Sequence, residues 1–213
     1  MDLTSRRPCL ARMCRPLVSV LAAVLTVSCS AGANQRTDGS DRSGRLSVTL
    51  ASVAKPAGPD WSYSRDHPGR VTLGRLGKDS AQSLSGIVVL SKLPSFESQA
   101  EFLDLVREQR GRESGDTRFE DIVREESVST EDGIWVVRFH IKYKDFGANN
   151  LPPLARYLVI EDLGATFRHP KYSGVAVTVA LSQRSLPEAP FVNFEAVAEG
   201  LIKSVQFHSD PSE

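Results

Sequence analysis

Cysteine is nearly missing from this 213-residue chain: there are three, Cys9, Cys14 and Cys29, and the 184 residues after position 29 (213 − 29) hold none. A domain built from those residues forms no disulfide and carries no free thiol. Thiol nucleophiles, thiolate-ligated zinc and redox relays are therefore excluded from it. Long apolar runs are missing too. The most apolar stretch, Pro16 to Val27 (PLVSVLAAVLTV), has twelve residues, whereas a helix needs about 20 to cross roughly 30 Å of hydrocarbon. Neither sign of charge is in excess, with 26 basic and 26 acidic residues, and no Lys/Arg-rich tract is present. Nucleic acid is not an expected partner. There is no G-x-S-x-G and no H-E-x-x-H. Gly77-Lys78 imitates the end of a phosphate loop, but Thr72 occupies the first glycine position and Asp79 replaces the Ser/Thr.

What is present begins at the N-terminus. Arg6, Arg7, Arg12 and Arg15 precede the apolar stretch, with Asp2 as the one acid before it. A basic segment followed by a short apolar one has the form of a secretory signal, expected over residues 1–28. The following residues, Leu25-Thr26-Val27-Ser28-Cys29, resemble the bacterial lipobox, in which a small residue precedes a lipidated cysteine. Thr26 departs from the usual Leu; Val27 and Ser28 suit a narrow peptidase cleft. The resemblance implies a diacylglyceryl thioether on Cys29, which becomes the first mature residue. One acyl chain holds a protein marginally, whereas two, at about 0.8 kcal/mol per buried methylene, hold it stably. The expected location is the extracytoplasmic side of a bacterial membrane, with the lipid as the membrane contact.

Residues 30–45 are rich in Ser, Gly, Asp and Arg and read, together with Cys29, as a flexible tether. Removal of residues 1–29 takes away four arginines and one aspartate, leaving 22 − 25 = −3. Residues 46–208 fit one globular domain, and 209–213 a tail.

Within that domain, strands are expected at Leu46–Ala51, Asp60–Ser64, Arg70–Leu73 and Gly86–Leu90, with a turn at Asp66-His67-Pro68-Gly69. The pattern Ser98-x-x-Glu101 is a capping box, followed by Phe102, Leu103, Leu105 and Val106, then Arg107, Arg110 and Gly111. It predicts a helix whose charges complement its dipole. From Ile134 to Lys144, Trp135, Val137, Phe139, Ile141 and Tyr143 alternate with Arg138, His140, Lys142 and Lys144, the period of a half-buried strand. The turn residues Glu131-Asp132-Gly133 make Phe119–Val128 its antiparallel neighbour. A register summing to 263 sets Glu125 opposite Arg138 and Asp121 opposite Lys142, and puts Arg124 and Glu126 on the apolar side. Leu154–Glu161 is apolar at both parities, as a central strand is. Asp162-Leu163-Gly164 reads as a turn into Ala165–Arg168, and Gly174–Ser182 as a strand. Phe191, Phe194, Val197, Ala198, Leu201, Ile202 and Val205 recur at helical spacing.

Strands grouped together, with a helix between them and another at the close, indicate an α+β fold: a largely antiparallel sheet with a helix packed on each side. In element order over residues 46–207, closing on Phe194, Ser204, Val205 and Phe207, the arrangement resembles the PsbP-like α/β/α sandwich. That fold occurs in an extrinsic photosystem subunit, a Ran-binding transport factor and small bacterial lipoproteins. The resemblance implies a non-enzymatic binding or accessory module with a protein partner in the cell envelope. It carries over no catalytic residue, metal ligand or cofactor.

Two clusters are candidate sites. Arg138, His140, Lys142 and Lys144, with Phe146 in the adjoining loop, could form a docking face for an acidic partner; the alternative is a solvated or ion-paired sheet face. Arg65, His67, Arg168, His169 and Lys171 lie in two His-Pro segments that could converge as an anion pocket of a small anion-binding protein or hydrolase. The alternative is that His-Pro ends two strands. The four histidines, His67, His140, His169 and His208, show no metal-ligand spacing. The cysteine distribution gives a direct expectation: the chain from residue 30 onward melts at the same temperature with and without reductant. A calorimetric shift on adding dithiothreitol is the contrary result.

Overall fold

The computed structural model describes residues 44–79, 81–111, 118–149 and 151–209. The signal, Cys29 and residues 30–43 of the tether lie outside this range, as does the tail after Ser209. Among the described residues no helix is long and apolar enough to cross a membrane.

Ten strands and two helices follow in order: β1 (Arg45–Val48), β2 (Ala51–Ala54), β3 (Ser62–His67), β4 (Arg70–Leu76), β5 (Ser83–Lys92), α1 (Gln99–Arg110), β6 (Phe119–Glu131), β7 (Ile134–Asp145), β8 (Leu158–Arg168), β9 (Val175–Ser185), α2 (Phe194–Lys203) and β10 (Gln206–Phe207). The main sheet is antiparallel throughout, in the order β3-β4-β5-β9-β8-β7-β6. A second sheet, β1-β2-β10, was not foreseen from the sequence. Leu46–Ala51, expected as one strand, is instead the hairpin β1–β2, turning at Thr49 and Leu50.

The expected helix forms as α1. Ser98 Oγ accepts from the Glu101 amide at 3.2 Å, while the Glu101 carboxylate accepts from the Glu97 amide. Phe102 and Val106, four residues apart, are fully buried with Val137 and Ala176. The second helix starts at Phe194, after Asn193 in the left-handed region (φ 67°), and buries Phe194, Ala198, Leu201 and Ile202. Its cluster holds Val136, Phe167, Val177, Val179 and Leu181 together with Leu46 and Val53 of the small sheet. Val137 and Ala176 belong to the cluster of α1, whereas their strand neighbours Val136 and Val177 belong to that of α2.

The β6–β7 register sums to 265, not 263. Glu131 pairs with Ile134 across the two-residue turn Asp132-Gly133, whose φ angles of 49° and 80° are those of a type I′ turn. Glu125 therefore faces His140, Ser127 faces Arg138, and a register shift falls between Asp121 and Val123. A second shift lies in the other edge strand, β3, between Ser64 and His67. The expected turn at Asp162-Leu163-Gly164 does not exist; β8 runs straight through it. Leu154 to Tyr157 precede the strand rather than begin it.

Gly164 explains itself by what covers it. It pairs with Phe139, and a Cβ there would stand 2.3 Å from Phe139 Cζ and 2.7 Å from the Val179 carbonyl oxygen. The Phe139 ring lies across the glycine, and the Arg110 guanidinium stacks 3.4 Å above that ring. Because the backbone carbonyl cannot yield, Gly164→Ala is expected to destabilise the domain by about 1–3 kcal/mol. Urea denaturation of the two proteins measures the difference.

Candidate functional site

The basic row of β7 lies on the parity of Val136, the one that meets α2. Each of its members has an acidic partner. Arg138 donates from Nε to Glu131 Oε1 at 2.7 Å and from Nη2 to Oε2 at 3.0 Å, then reaches Glu199 of α2 through Nη1 at 3.2 Å. The hydrogen bonds with Glu131 raise the guanidinium's pKa against partial burial, and Arg138 in turn holds the Glu131 carboxyl below its ordinary range. Lys144 Nζ sits 2.6 Å from Glu120 and 5.3 Å from the centre of the Tyr157 ring.

Between them stands Glu161, a buried carboxylate in the middle of an apolar strand. Register places it opposite Lys142 on one side and Gln183 on the other. Its Oε1 is 2.8 Å from His140 Nε2; its Oε2 accepts from Gln183 Nε2 at 2.8 Å and lies 3.2 Å from Lys142 Nζ. Gln183 Oε1 accepts the Phe191 amide at 2.9 Å, tying this network to the segment that leads into α2. Burial alone pushes the Glu161 pKa up, but the bonds from His140, Gln183 and Lys142 outweigh it and hold the group below its ordinary value of 4.5.

On the opposite parity, Arg124 and Glu126 do fall on the apolar side, and each finds its charge partner. Glu126 takes Arg107 at 2.9 Å and Arg110 at 3.0 Å, while Arg124 takes Asp121 at 2.9 Å. Arg107, Arg110, Gly111, Arg124 and Glu126 line an open groove of about 490 Å³. With Asp104 also on Arg107, each of the three arginines has a carboxylate partner.

The two His-Pro turns lie at the same end of the main sheet, because Gly69 pairs its carbonyl with Leu90, and Leu90 pairs through Val177 with Phe167. They do not face each other. The Thr49–Leu50 turn stands between them, with the Thr49 amide on Pro68 O and the His208 amide on Leu50 O. His67 Nδ1 accepts from the Gly69 amide at 3.0 Å, and Arg65 is turned to Pro68 O. His169 is 1% exposed; its Nδ1 accepts from the Lys171 and Tyr172 amides at 3.1 and 3.2 Å. Burial lowers its pKa, opposed by the backbone carbonyls of Leu50 and His208. The ring is thus a neutral turn-former packed on Tyr172 and Phe207. Arg168 stacks over Trp135 at 4.9 Å, and Lys171 Nζ bonds Ser209 O. The five residues read as an anion pocket are dispersed among separate structural tasks.

Phe146 follows β7 directly, is 44% exposed and meets Tyr157 edge-on at 5.5 Å. Sequence reading found the basic row but missed Glu161, Glu199 and Gln183. An acid inside Leu158-Val159-Ile160-Glu161 was the available sign, since a carboxylate in a strand apolar at both parities requires partners. Among the described residues, no group of three His, Cys, Asp or Glu is placed to hold a metal ion. No protein-family model matches the chain, and no curated protein matches it.

Reversal of Arg138 and Lys142 to Glu is accordingly expected to lower stability by about 2 kcal/mol or more. It sets like charges against Glu131 and Glu199 and leaves the buried Glu161 beside a new carboxylate. Thermal melts of the double variant give the answer; an unchanged midpoint means that these pairs contribute nothing.

Proposed function

We propose that this chain is an exported bacterial lipoprotein. A diacylglyceryl group on Cys29 holds it on the extracytoplasmic side of the membrane, and its domain acts as a non-enzymatic binding or accessory module for a protein partner in the cell envelope. The observation that carries the reading is Leu25-Thr26-Val27-Ser28-Cys29, which closes the uncharged stretch that begins at Pro16 after four arginines. The first strand begins at Arg45, where the polar segment after Cys29 ends, which agrees with a domain attached through a tether. For the domain we favour the PsbP-like α/β/α sandwich, with a helix on each side of the main sheet. Supporting it, α1 packs with Val137 and α2 with Val136, neighbours on one strand.

The binding role draws on the use to which the reactive side chains are put. His140, Lys142 and Glu161 close a network within the sheet, and His67 and His169 each cap their own turn. These groups serve the fold, and the hydrolase alternative gains no support from them. The test is metabolic labelling with a clickable fatty acid in a bacterium that processes lipoproteins. Wild-type chain should take up label and sediment with membranes; Cys29→Ser should do neither. Label retained on the serine variant refutes the anchor.

A further inference from the structure

At the end of the main sheet that holds the His169–Val175 turn, a strap from the last part of the chain closes the fold. After α2, β10 lies along β2, pairing Gln206 with Ser52 and Phe207 with Ala51. The His208 amide donates to Leu50 O at 2.9 Å, and the His208 ring meets Ser52 Oγ at 3.1 Å. Ser209 O then accepts from Tyr172 Oη at 2.9 Å and from Lys171 Nζ at 3.4 Å. Packed against this strap is His169, fully buried, its ring 5.3 Å from that of Phe207 and 4.9 Å from that of Tyr172. Phe207 also meets Phe167 edge-on at 6.0 Å.

His169 does here what asparagine or aspartate does in an Asx turn, its side chain accepting the amides of residues two and three further on. An imidazole can serve in this way in one protonation state alone. With Nδ1 accepting two amides the ring proton sits on Nε2, and a second proton would have to enter at Nδ1, facing two N–H donors. Nε2 is buried and completes no hydrogen bond, although the carbonyls of Leu50 and His208 lie near it. Burial lowers the pKa of the ring from its ordinary 6.5 against the pull of these carbonyls, and the Lys171 ammonium also opposes protonation. The other ionisable side chains on the elements packed around the ring are Arg168, Tyr172 and His208. Arg168 is stacked over Trp135, the Tyr172 hydroxyl is on Ser209 O, and the His208 ring is on Ser52. The Thr49–Leu50 turn and the first residues of β9 bring none.

We propose that His169 is an acid-sensitive latch: its protonation breaks the turn at Lys171 and Tyr172, and with it their hold on Ser209, so that the strap from Gln206 to Ser209 lifts from β2. Lifting it bares Phe207 and Phe167, the latter 7% exposed while the strap is closed. Linkage sets the direction. In the open form the ring is in water and takes its proton near 6.5; in the closed form it does so at lower pH. Between the two values the open form binds one more proton, so the opening constant rises about tenfold for each pH unit of acidification. The latch is therefore closed at and above neutral pH and loosens as pH falls below about 6.5. His67 makes a similar turn with the Gly69 amide but is exposed, so water can meet its charge without a strap being moved. The device needs neither lipid nor partner, and an exported domain would meet the pH of its surroundings directly.

Hydrogen exchange of the full-length chain, read by mass spectrometry from about pH 8 to about pH 5 and corrected for the intrinsic pH dependence of exchange, follows the latch. Opening of a peptide covering residues 203–209 is expected to grow about tenfold per pH unit below the ordinary histidine range. A peptide of α1 containing Phe102 and Val106 should keep its protection. His169→Asn sets a carboxamide oxygen where Nδ1 stands and takes up no proton, so its strap should stay closed across the range. His67→Asn should behave as the wild type does. Parallel loss of protection in wild type and His169→Asn overturns the latch, because other groups then cause it. Loss at the strap and at α1 at one pH is global unfolding and overturns it as well. Should His169→Asn fail to fold, nitrogen chemical shifts of the wild-type histidine rings decide. His169 is expected to stay neutral, with its proton on Nε2, for as long as the strap is protected. A charged His169 ring under a protected strap overturns the proposal.

Discussion

A strand covered on both faces offers a polar side chain no side on which to reach water. β8 and β9 live under that constraint: nearly every residue from Leu158 to Phe167, and from Ala176 to Gln183, is buried or partly buried at both parities. Each polar group there must be satisfied in place, since an unpaired one costs roughly 1–3 kcal/mol. Thr166 and Thr178 face each other across the register and share a hydrogen bond of 2.9 Å. Glu161 recruits His140, Lys142 and Gln183. Gly164 yields its side-chain volume to Phe139, whose ring then accepts Arg110 from α1. One of the contacts that seat the first helix on the sheet thus runs back to a position without a Cβ.

The same constraint decides what the ionisable groups do. Buried or half-buried charges survive where partners hold them, and in this domain the partners come from non-adjacent parts of the chain. Arg138 spans the hairpin turn and α2; Glu126 joins β6 to the end of α1. Such pairs fix how the helices sit on the sheet.

Much of this was legible in the sequence where the signal was local. The capping box and the spacing of Phe102 and Val106 located α1, and the alternation from Trp135 to Lys144 located β7. The β6–β7 register was readable in principle: Asp132-Gly133 suits a two-residue turn, which sets the sum at 265, but the choice of 263 followed charge pairing instead. Gly164 misled because glycine marks both turns and places where a neighbour lies close. The small sheet gave only the weak alternation of Leu46–Ala51, its strands being two to four residues long. An ion-paired basic row was one of the readings, but its partners were misnamed, because Glu161 and Glu199 are set by tertiary packing, which no spacing rule along β7 reports.

The two open margins of the main sheet have a quieter consequence. β3 and β6 each carry a register shift, and β6 presents Glu120, Asp121, Arg124, Glu125 and Glu131 along thirteen residues. A bulged, charged margin resists receiving another strand. On the membrane plane proposed above, where molecules meet their neighbours far more often than in solution, such margins would oppose edge-to-edge pairing between copies of the sheet.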